Sequence, residues 1–413
     1  MAGVNPLTLK KMNVLFLTMA KLGSLADRGV YTDLLKKFTL EGHDVFAVCP
    51  VERREKRDTN VLKENEGTLL KIRTFNLQKS NIVEKGIGTL AIEYQFLSGI
   101  KKYFVGIRFD LIIYSTPPIT FSKVISYLKK RDHAYSYLML KDIFPQNAVD
   151  MKMLKEGGLM HQFFLKKEHR LYELSDAIGC MSEANKKYLL AHNPTIDPQK
   201  VEVNPNSIAP IATFQTAEEK QIIKEKYGLP LNKMIFVYGG NLGKPQGIDF
   251  LLESIEASKN TDAFFLIVGS GTEYNRISKL FQEKQPENAI LLSGLPKDDY
   301  LMLLNACDVG LLFLHRDFTI PNFPSRLLDY LEMKLPVIAA TDPNTDVGSV
   351  IEKAKCGYWV LSGDTIGMQN AIAKFCTDES NYLQMRENAW KLLQNEYHVD
   401  HSYQLIKSRL EIV

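Results

Sequence analysis

The chain has 413 residues, 45% of them hydrophobic and 24% charged, with a net charge of +3. These values are ordinary for a globular protein, and at roughly 100–200 residues per domain the length calls for two domains, each with its own core. No run of about 18 apolar residues occurs, which excludes a transmembrane helix, and Met1–Met12 lacks the apolar centre of a signal peptide and reads as a tail.

The first half alternates short apolar runs with helical stretches. Asn13–Thr18 reads as a strand, followed by a glycine-containing loop and a helix over Gly29–Leu40 that stops at Glu41-Gly42-His43. Val45–Cys49, Leu111–Tyr114, Tyr135–Met139 and Ala177–Met181 are the next strands, with helices over Phe121–Lys130 and Glu183–Ala191. His43 is expected to pack or cap a strand. The second half repeats the scheme, with strands at Met234–Tyr238, Ala263–Val268, Ile290–Leu292, Val309–Phe313 and Pro336–Ala339 and a helix over Gly247–Ser258. Buried strands between helices imply α/β architecture: two Rossmann-like, doubly wound parallel sheets facing a central cleft, where ligands bind at strand C-termini.

Turn formers over Pro205–Gln215 place the boundary there. The N-terminal domain is expected over 1–205, completed by 396–413 crossing back, and the C-terminal domain over 206–395. Residues 1–200 carry 31 Lys+Arg against 21 Asp+Glu, the remainder 20 against 27. A basic half suggests an anionic partner, and a membrane surface or phosphorylated lipid fits better than nucleic acid, for which no recognition helix, zinc spacing or aromatic RNA motif is present. The five cysteines form no C-x-x-C pair and read as buried free thiols of a cytoplasmic protein.

Several segments carry a resemblance. Val237–Glu253, with Gly239-Gly240-Asn241, resembles the donor loop of GT-B glycosyltransferases of family 4, and Phe323–Ala339 resembles their nucleotide-sugar helix. Val268-Gly-Ser-Gly271 and Leu292–Pro296 lie between them in the family's order. Asp27–Leu34, Glu41–Val45, Ser115–Pro118 and Lys141–Asp150 resemble the bacterial branch that includes N-acetylfucosaminyl transferases of surface-polysaccharide assembly. The resemblance implies a retaining transferase that moves a sugar, an acetamido sugar in that branch, from a UDP-sugar donor to a lipid-linked or glycan acceptor.

The leaving diphosphate gains charge as its bond to the sugar breaks. That charge is stabilised by cations, backbone N–H groups and a helix start. The expected donor site comprises Gly240, Asn241, Lys244, Gln246, Gly269, Gly271, Leu295, Asn322, Ser325, Arg326 and Asp329. Lys244 and Arg326 supply positive charge, Asp329 accepts from the ribose, and the base lies near Gly294-Leu295. Taken singly, Gly269, Gly271 and Gly294 also read as simple turns after strands. Asn241 and Gln246 stand where family 4 commonly has Arg and Lys, and Pro321 where it has an acidic residue, which shifts charge onto Lys244 and Arg326.

On the acceptor side, Arg28 and Gly29 open a helix after the first strand, and Arg28 is a candidate for an acceptor phosphate. Asp142, after a strand, is a candidate for orienting a sugar hydroxyl or stabilising positive charge at the anomeric carbon; a surface arginine and a helix cap are the plain alternatives. Retention implies a front-face mechanism in which the leaving phosphate helps deprotonate the acceptor. With no D-x-D pair after a strand, no metal and no cofactor are expected. Met151–Leu174 and Tyr94–Phe109 mix apolar and basic residues, as suits a peripheral enzyme at an anionic cytoplasmic leaflet, or equally a pair of core helices. A sugar-nucleotide epimerase and a non-catalytic subunit of a transferase complex are the rival readings.

Overall fold

The computed structural model describes residues 11–76, 82–211 and 214–411. The expected N-terminal tail lies, up to residue 10, outside these, as do residues 212–213 of the expected boundary and 412–413 of the crossing segment. The first sheet has eight strands: β1 (Asn13–Leu17), β2 (Asp44–Glu52), β3 (Asn60–Glu64), β4 (Gly67–Thr74), β5 (Leu111–Ser115), β6 (Tyr135–Leu140), β7 (Ala177–Cys180) and β8 (Val201–Val203). Their order is β3-β4-β2-β1-β5-β6-β7-β8, parallel except for the β3–β4 hairpin. The second sheet has six: β9 (Met234–Asn241), β10 (Ala263–Ser270), β11 (Ala289–Ser293), β12 (Val309–Phe313), β13 (Val337–Thr341) and β14 (Gly357–Leu361). Their order is β11-β10-β9-β12-β13-β14, all parallel.

Both sheets are covered on two faces, which is why their strands read as unbroken apolar runs. In β1, Leu15 and Leu17 join a core with Phe96, Ile125 and Leu171, while Val14 and Phe16 join one with Leu35, Phe38 and Tyr403. In β9, Ile235 and Val237 face Leu304 and Leu327, and Phe236 and Tyr238 face Leu251 and Phe375. The helix Val30–Leu40 ends, as expected, where Gly42 turns the chain at φ 90°. Ser182 caps the helix Glu183–His192 by accepting from the Asn185 N–H, a contact worth about 1 kcal/mol.

The expected strands all form. The reading missed the β3–β4 hairpin, β8 and β14. The hairpin lies at a sheet edge and is rich in charge, so it lacks the buried signature, and β8 has only three residues. The helix Val399–Leu410 lies against Val30–Leu40, with Tyr403 packed on Phe38 at 5.0 Å between rings. Tyr403 also meets His43 through its hydroxyl, 3.2 Å from Nε2, so His43 packs as expected.

The two units touch at several points. Asp150 accepts from the Thr319 N–H at 2.8 Å, Asn185 donates to the Pro321 carbonyl at 2.5 Å, and Asp346 accepts from the Ala184 N–H at 2.9 Å. Ile143 of the first unit packs with Leu314, Phe318 and Ile320 of the second. These contacts bring the loop after β6 against the loop after β12.

Candidate functional site

β9 runs out in Gly239-Gly240-Asn241. Gly240 sits at φ 117°, and a Cβ there would point at the Arg326 guanidinium 3.6 Å away. The Tyr238 hydroxyl donates to the Asn241 carbonyl at 2.8 Å, and Leu242 N–H donates to the Ser270 carbonyl at 2.9 Å, pinning the loop to the end of β10. The backbones meet so closely that a Cβ on Gly269 would stand 1.9 Å from the Gly240 oxygen, and one on Gly271 2.3 Å from the Leu242 oxygen. Gly269, paired with Gly240 at the end of the β9–β10 ladder, and Gly271 just beyond it therefore let the two backbones approach closely, a packing role as much as a ligand one. Asn241 and Lys244 stand exposed at the rim.

The helix Arg326–Glu332 begins beside this loop. Arg326 lies over the Tyr238 ring, 4.5 Å from its centroid, and its Nη2 donates to Gln246 Oε1 at 2.7 Å. Its Nη1 is buried with no protein partner. Gln246 thus acquires a meaning: the amide oxygen holds Arg326, whereas the family's lysine there would repel it. Asp329, one turn on, is half-buried, and burial pushes its carboxyl up to about 6; Lys297 opposes this, Glu332 adds to it, and Arg28 and Arg326 oppose it. Ser325 is exposed at the helix start. Asn322 accepts at its carbonyl from Thr345 at 2.5 Å, and its side-chain Nδ2 is buried without a partner. Leu295 packs against the second unit's core, just after Gly294.

Sequence reasoning missed two tyrosines. Gly239 N–H donates to the Tyr330 hydroxyl at 3.2 Å, which donates on to the Leu311 carbonyl at 3.1 Å. The Tyr300 hydroxyl packs so tightly on Gly239 that a Cβ would stand 2.0 Å from it. Tyr330 follows Asp329 in sequence, which was a usable signal. Tyr300 is 61 positions from Gly239, and nothing local marks it.

Across the cleft, the Thr116 hydroxyl accepts from the N–H of Lys141 at 3.0 Å and of Asp142 at 3.2 Å, fixing the turn after β6. Asn147 Nδ2 lies 2.8 Å from both Asp142 carboxylate oxygens. Burial still wins, and the Asp142 carboxyl is pushed up to about 6. Burial lowers the neighbouring Lys141 ammonium to about 7; it donates to the Asn204 carbonyl at 3.2 Å. Glu168, raised by burial to about 7, accepts from the Tyr172 hydroxyl at 2.7 Å. Lys141, Tyr172 and Glu168 were not among the expected site residues.

A cavity of about 450 Å³ joins the two sides. Asp142, Asn147 and Met151 line it from the first unit, and Gln246, Asn322, Ser325 and Arg326 from the second. Five expected site residues thus converge there. Arg28 and Gly29 do not line it: Arg28 pairs with Glu332 at 2.5 Å, and Gly29 begins its helix with its N–H on Asp33 at 3.4 Å. A larger cavity of about 1060 Å³, beside the strand β8 and the helix Val399–Leu410, contains none of the expected residues. Chemistry rather than size selects the smaller one: a cation from one unit and a carboxylate from the other, Arg326 and Asp142, both line it. Among the described residues, no group of three or more His, Cys, Asp or Glu is placed to hold a metal.

Residues 219–392 match the family described as glycosyl transferases group 1. The second unit is a group 1 glycosyltransferase domain, and the chain is a glycosyltransferase. This glycosyltransferase is 23% identical over 307 residues to the probable glycosyltransferase WbjE of Pseudomonas aeruginosa, covering 72% of this chain and 73% of that one. It is 26% identical over 144 residues to the putative colanic acid biosynthesis glycosyl transferase WcaI of Escherichia coli, covering 34% of this chain and 35% of that one. The crystal structure of Anabaena Alr3699/HepE in complex with UDP superposes with a TM-score of 0.71 at 14% identity, over 97% of this chain and 100% of that one. The glycosyltransferase accordingly has the GT-B fold.

Proposed function

We propose that this glycosyltransferase is a retaining enzyme of bacterial surface-polysaccharide assembly that uses a UDP-sugar. The observation that carries the reading is the convergence of Arg326, Gln246, Ser325 and Asn322 with Asp142 around one cavity, with Gly240 close beside the Arg326 guanidinium. In this reading the diphosphate lies on the Gly240 backbone with Arg326 and the exposed Lys244 as counter-charges, and Asp329 accepts from the ribose. The base rests near Gly294 and Leu295. The sugar occupies the cavity, whose wall of Phe318, Leu314, Met151 and Met153 suits an acetamido sugar. Asp142, held by Asn147, stabilises positive charge at the anomeric carbon. The acceptor hydroxyl attacks on the face the diphosphate leaves, and a phosphate oxygen takes its proton. The transfer needs neither metal nor cofactor in this scheme. Support for the UDP assignment comes from the UDP complex of the Anabaena neighbour, and for the pathway from the colanic acid relative.

We infer in addition a lipid-linked or glycan acceptor and peripheral attachment to an anionic cytoplasmic leaflet. Leu159, Met160, Phe163 and Met153 are exposed beside Lys152, Lys155 and Lys166, while Leu171 and Tyr172 of the same helix are core. No helix of the described residues is long and apolar enough to cross a membrane.

A thermal-shift screen against UDP-, GDP-, dTDP- and CMP-sugars tests the donor assignment. A shift with a UDP-sugar alone supports it, and a shift with another base, or with none, overturns it. Donor incubated without acceptor should at most hydrolyse slowly; its conversion to an epimer would establish the rival chemistry.

A further inference from the structure

Arg28 comes from the loop that precedes the first helix of the first unit, yet its partner lies in the other unit. Its Nη2 is 2.5 Å from Glu332 Oε1 and 3.4 Å from the Ala209 carbonyl. Glu332 is 1% exposed and also accepts the Ile211 N–H at 2.8 Å. The Arg28 carbonyl in turn accepts from Lys297 Nζ at 2.9 Å. A carboxylate this buried needs its cation, and the cation arrives only when the units are together.

Glu332 ends the helix that Arg326 begins, and Asp329 stands between them at three-residue spacing, so the three project within one arc of a short helix. Asp329 therefore has a carboxylate one turn away on one side and Arg326 one turn away on the other, and draws two further cations, Lys297 and Arg28, from outside its helix. The groups around it are Arg326, Tyr330 and Glu332 of its own helix, Lys297 and Tyr300 of the helix Lys297–Asn305, and Arg28 from the first unit. Glu332 opposes ionisation of Asp329, and Arg28 favours it.

We propose that Arg28 is a positioning residue for the donor: clamped by Glu332 across the cleft, it completes the charge environment of Asp329, so that donor binding depends on closure of the two units. The proposal rests on the reading of Asp329 as the ribose acceptor. An ionised Asp329 accepts from ribose hydroxyls, and a protonated one accepts poorly. UDP affinity then falls as pH drops through about 6, the value to which burial raises this carboxyl. The two ends of the ion pair must shift that fall in opposite directions. Arg28→Gln removes one of the three cations that favour the ionised Asp329 and moves the midpoint up; Glu332→Gln removes the opposing carboxylate and moves it down.

The test is calorimetric titration of the full chain with UDP from pH 5 to 8. For each half unit of midpoint shift, affinity below the midpoint changes up to roughly threefold. Arg28→Gln should lose affinity at pH 6, Glu332→Gln should gain it, and Arg28→Lys should keep most of the wild-type profile. The amide at position 332 keeps an acceptor for the Ile211 N–H, and thermal melts confirm that each variant is folded. If both variants weaken UDP by one pH-independent factor, the pair is only an inter-unit fastener and the proposal fails. It fails equally if neither variant moves the profile. If Asp329→Asn leaves UDP affinity and its pH dependence unchanged, the ribose reading itself is wrong.

Discussion

The two faces of the cleft are made differently. The second unit presents backbone at the paired ends of β9 and β10, a guanidinium stacked on Tyr238 and steered by Gln246, and the carboxyl of Asp329. The first unit presents half-buried ionisable side chains, Asp142 near 6 and Lys141 near 7, with the buried Glu168 near 7 behind them. A backbone cradle tolerates no added atoms, whereas ionisable side chains respond to pH, as Asp142 does on one face and Asp329 on the other. In the proposed reading the diphosphate rests on the second unit's backbone and Arg326, and Asp142 acts on the sugar from the first.

The sharpest way to break this contrast is to exchange the carboxyl. Asp142→Asn keeps the size but loses the charge, and turnover should fall roughly 100-fold or more while UDP affinity stays within about twofold. Equal losses in both would place Asp142 in donor binding instead.

That division was only half legible in the sequence. The glycine loop and the Arg326 helix announce themselves, because short strand–glycine–helix patterns are local and their chemistry follows from residue type. The strands of both sheets were legible for the same reason, through uninterrupted apolar runs. What escaped depends on distance along the chain. Arg28 and Glu332 are 304 positions apart, and Asp150 and Thr319 are 169 apart. The role of Gln246 was also hidden: as a departure from the family pattern it looked like lost charge, and only the bond to Arg326 shows what it does. The edge hairpin β3–β4 escaped because its exposed face is charged.

On the backbone side, Gly269→Ala is expected to be the most disruptive small change. Its Cβ meets a carbonyl oxygen at 1.9 Å, and overpacking of this kind costs about 1–3 kcal/mol, lowering Tm by roughly 2–10 °C. Gly294→Ala serves as the stability control: its nearest contact is a side chain at 3.8 Å, so Tm should hardly change. A comparable loss of Tm in both variants would mean that the close approach of β9 and β10 is not what Gly269 serves.

Lys244 should matter less. It is an exposed point charge, and a contribution of about 0.2–1 kcal/mol corresponds to a loss of UDP affinity below about fivefold in Lys244→Ala, shrinking further in high salt.

The smallest effect concerns stability. Because the fold raises the Asp142 carboxyl above its ordinary range near 4, its contribution is fully present below that range and is lost as pH rises through about 6. Asp142→Asn should therefore raise Tm at pH 8 by about 2–4 °C for each kcal/mol relieved, with the gain shrinking towards pH 5. Differential scanning calorimetry at the two pH values reads this directly. A constant offset at both would remove burial of the charge as the cause.

In the proposed reading the second unit holds the donor's diphosphate through Arg326 beside Gly240. Calorimetric titration of UDP into wild type and Arg326→Ala decides whether it does. A charge-assisted contact of about 1.5–3 kcal/mol predicts a loss of roughly 10- to 100-fold in affinity in a variant that remains folded. An unchanged Kd would contradict the account.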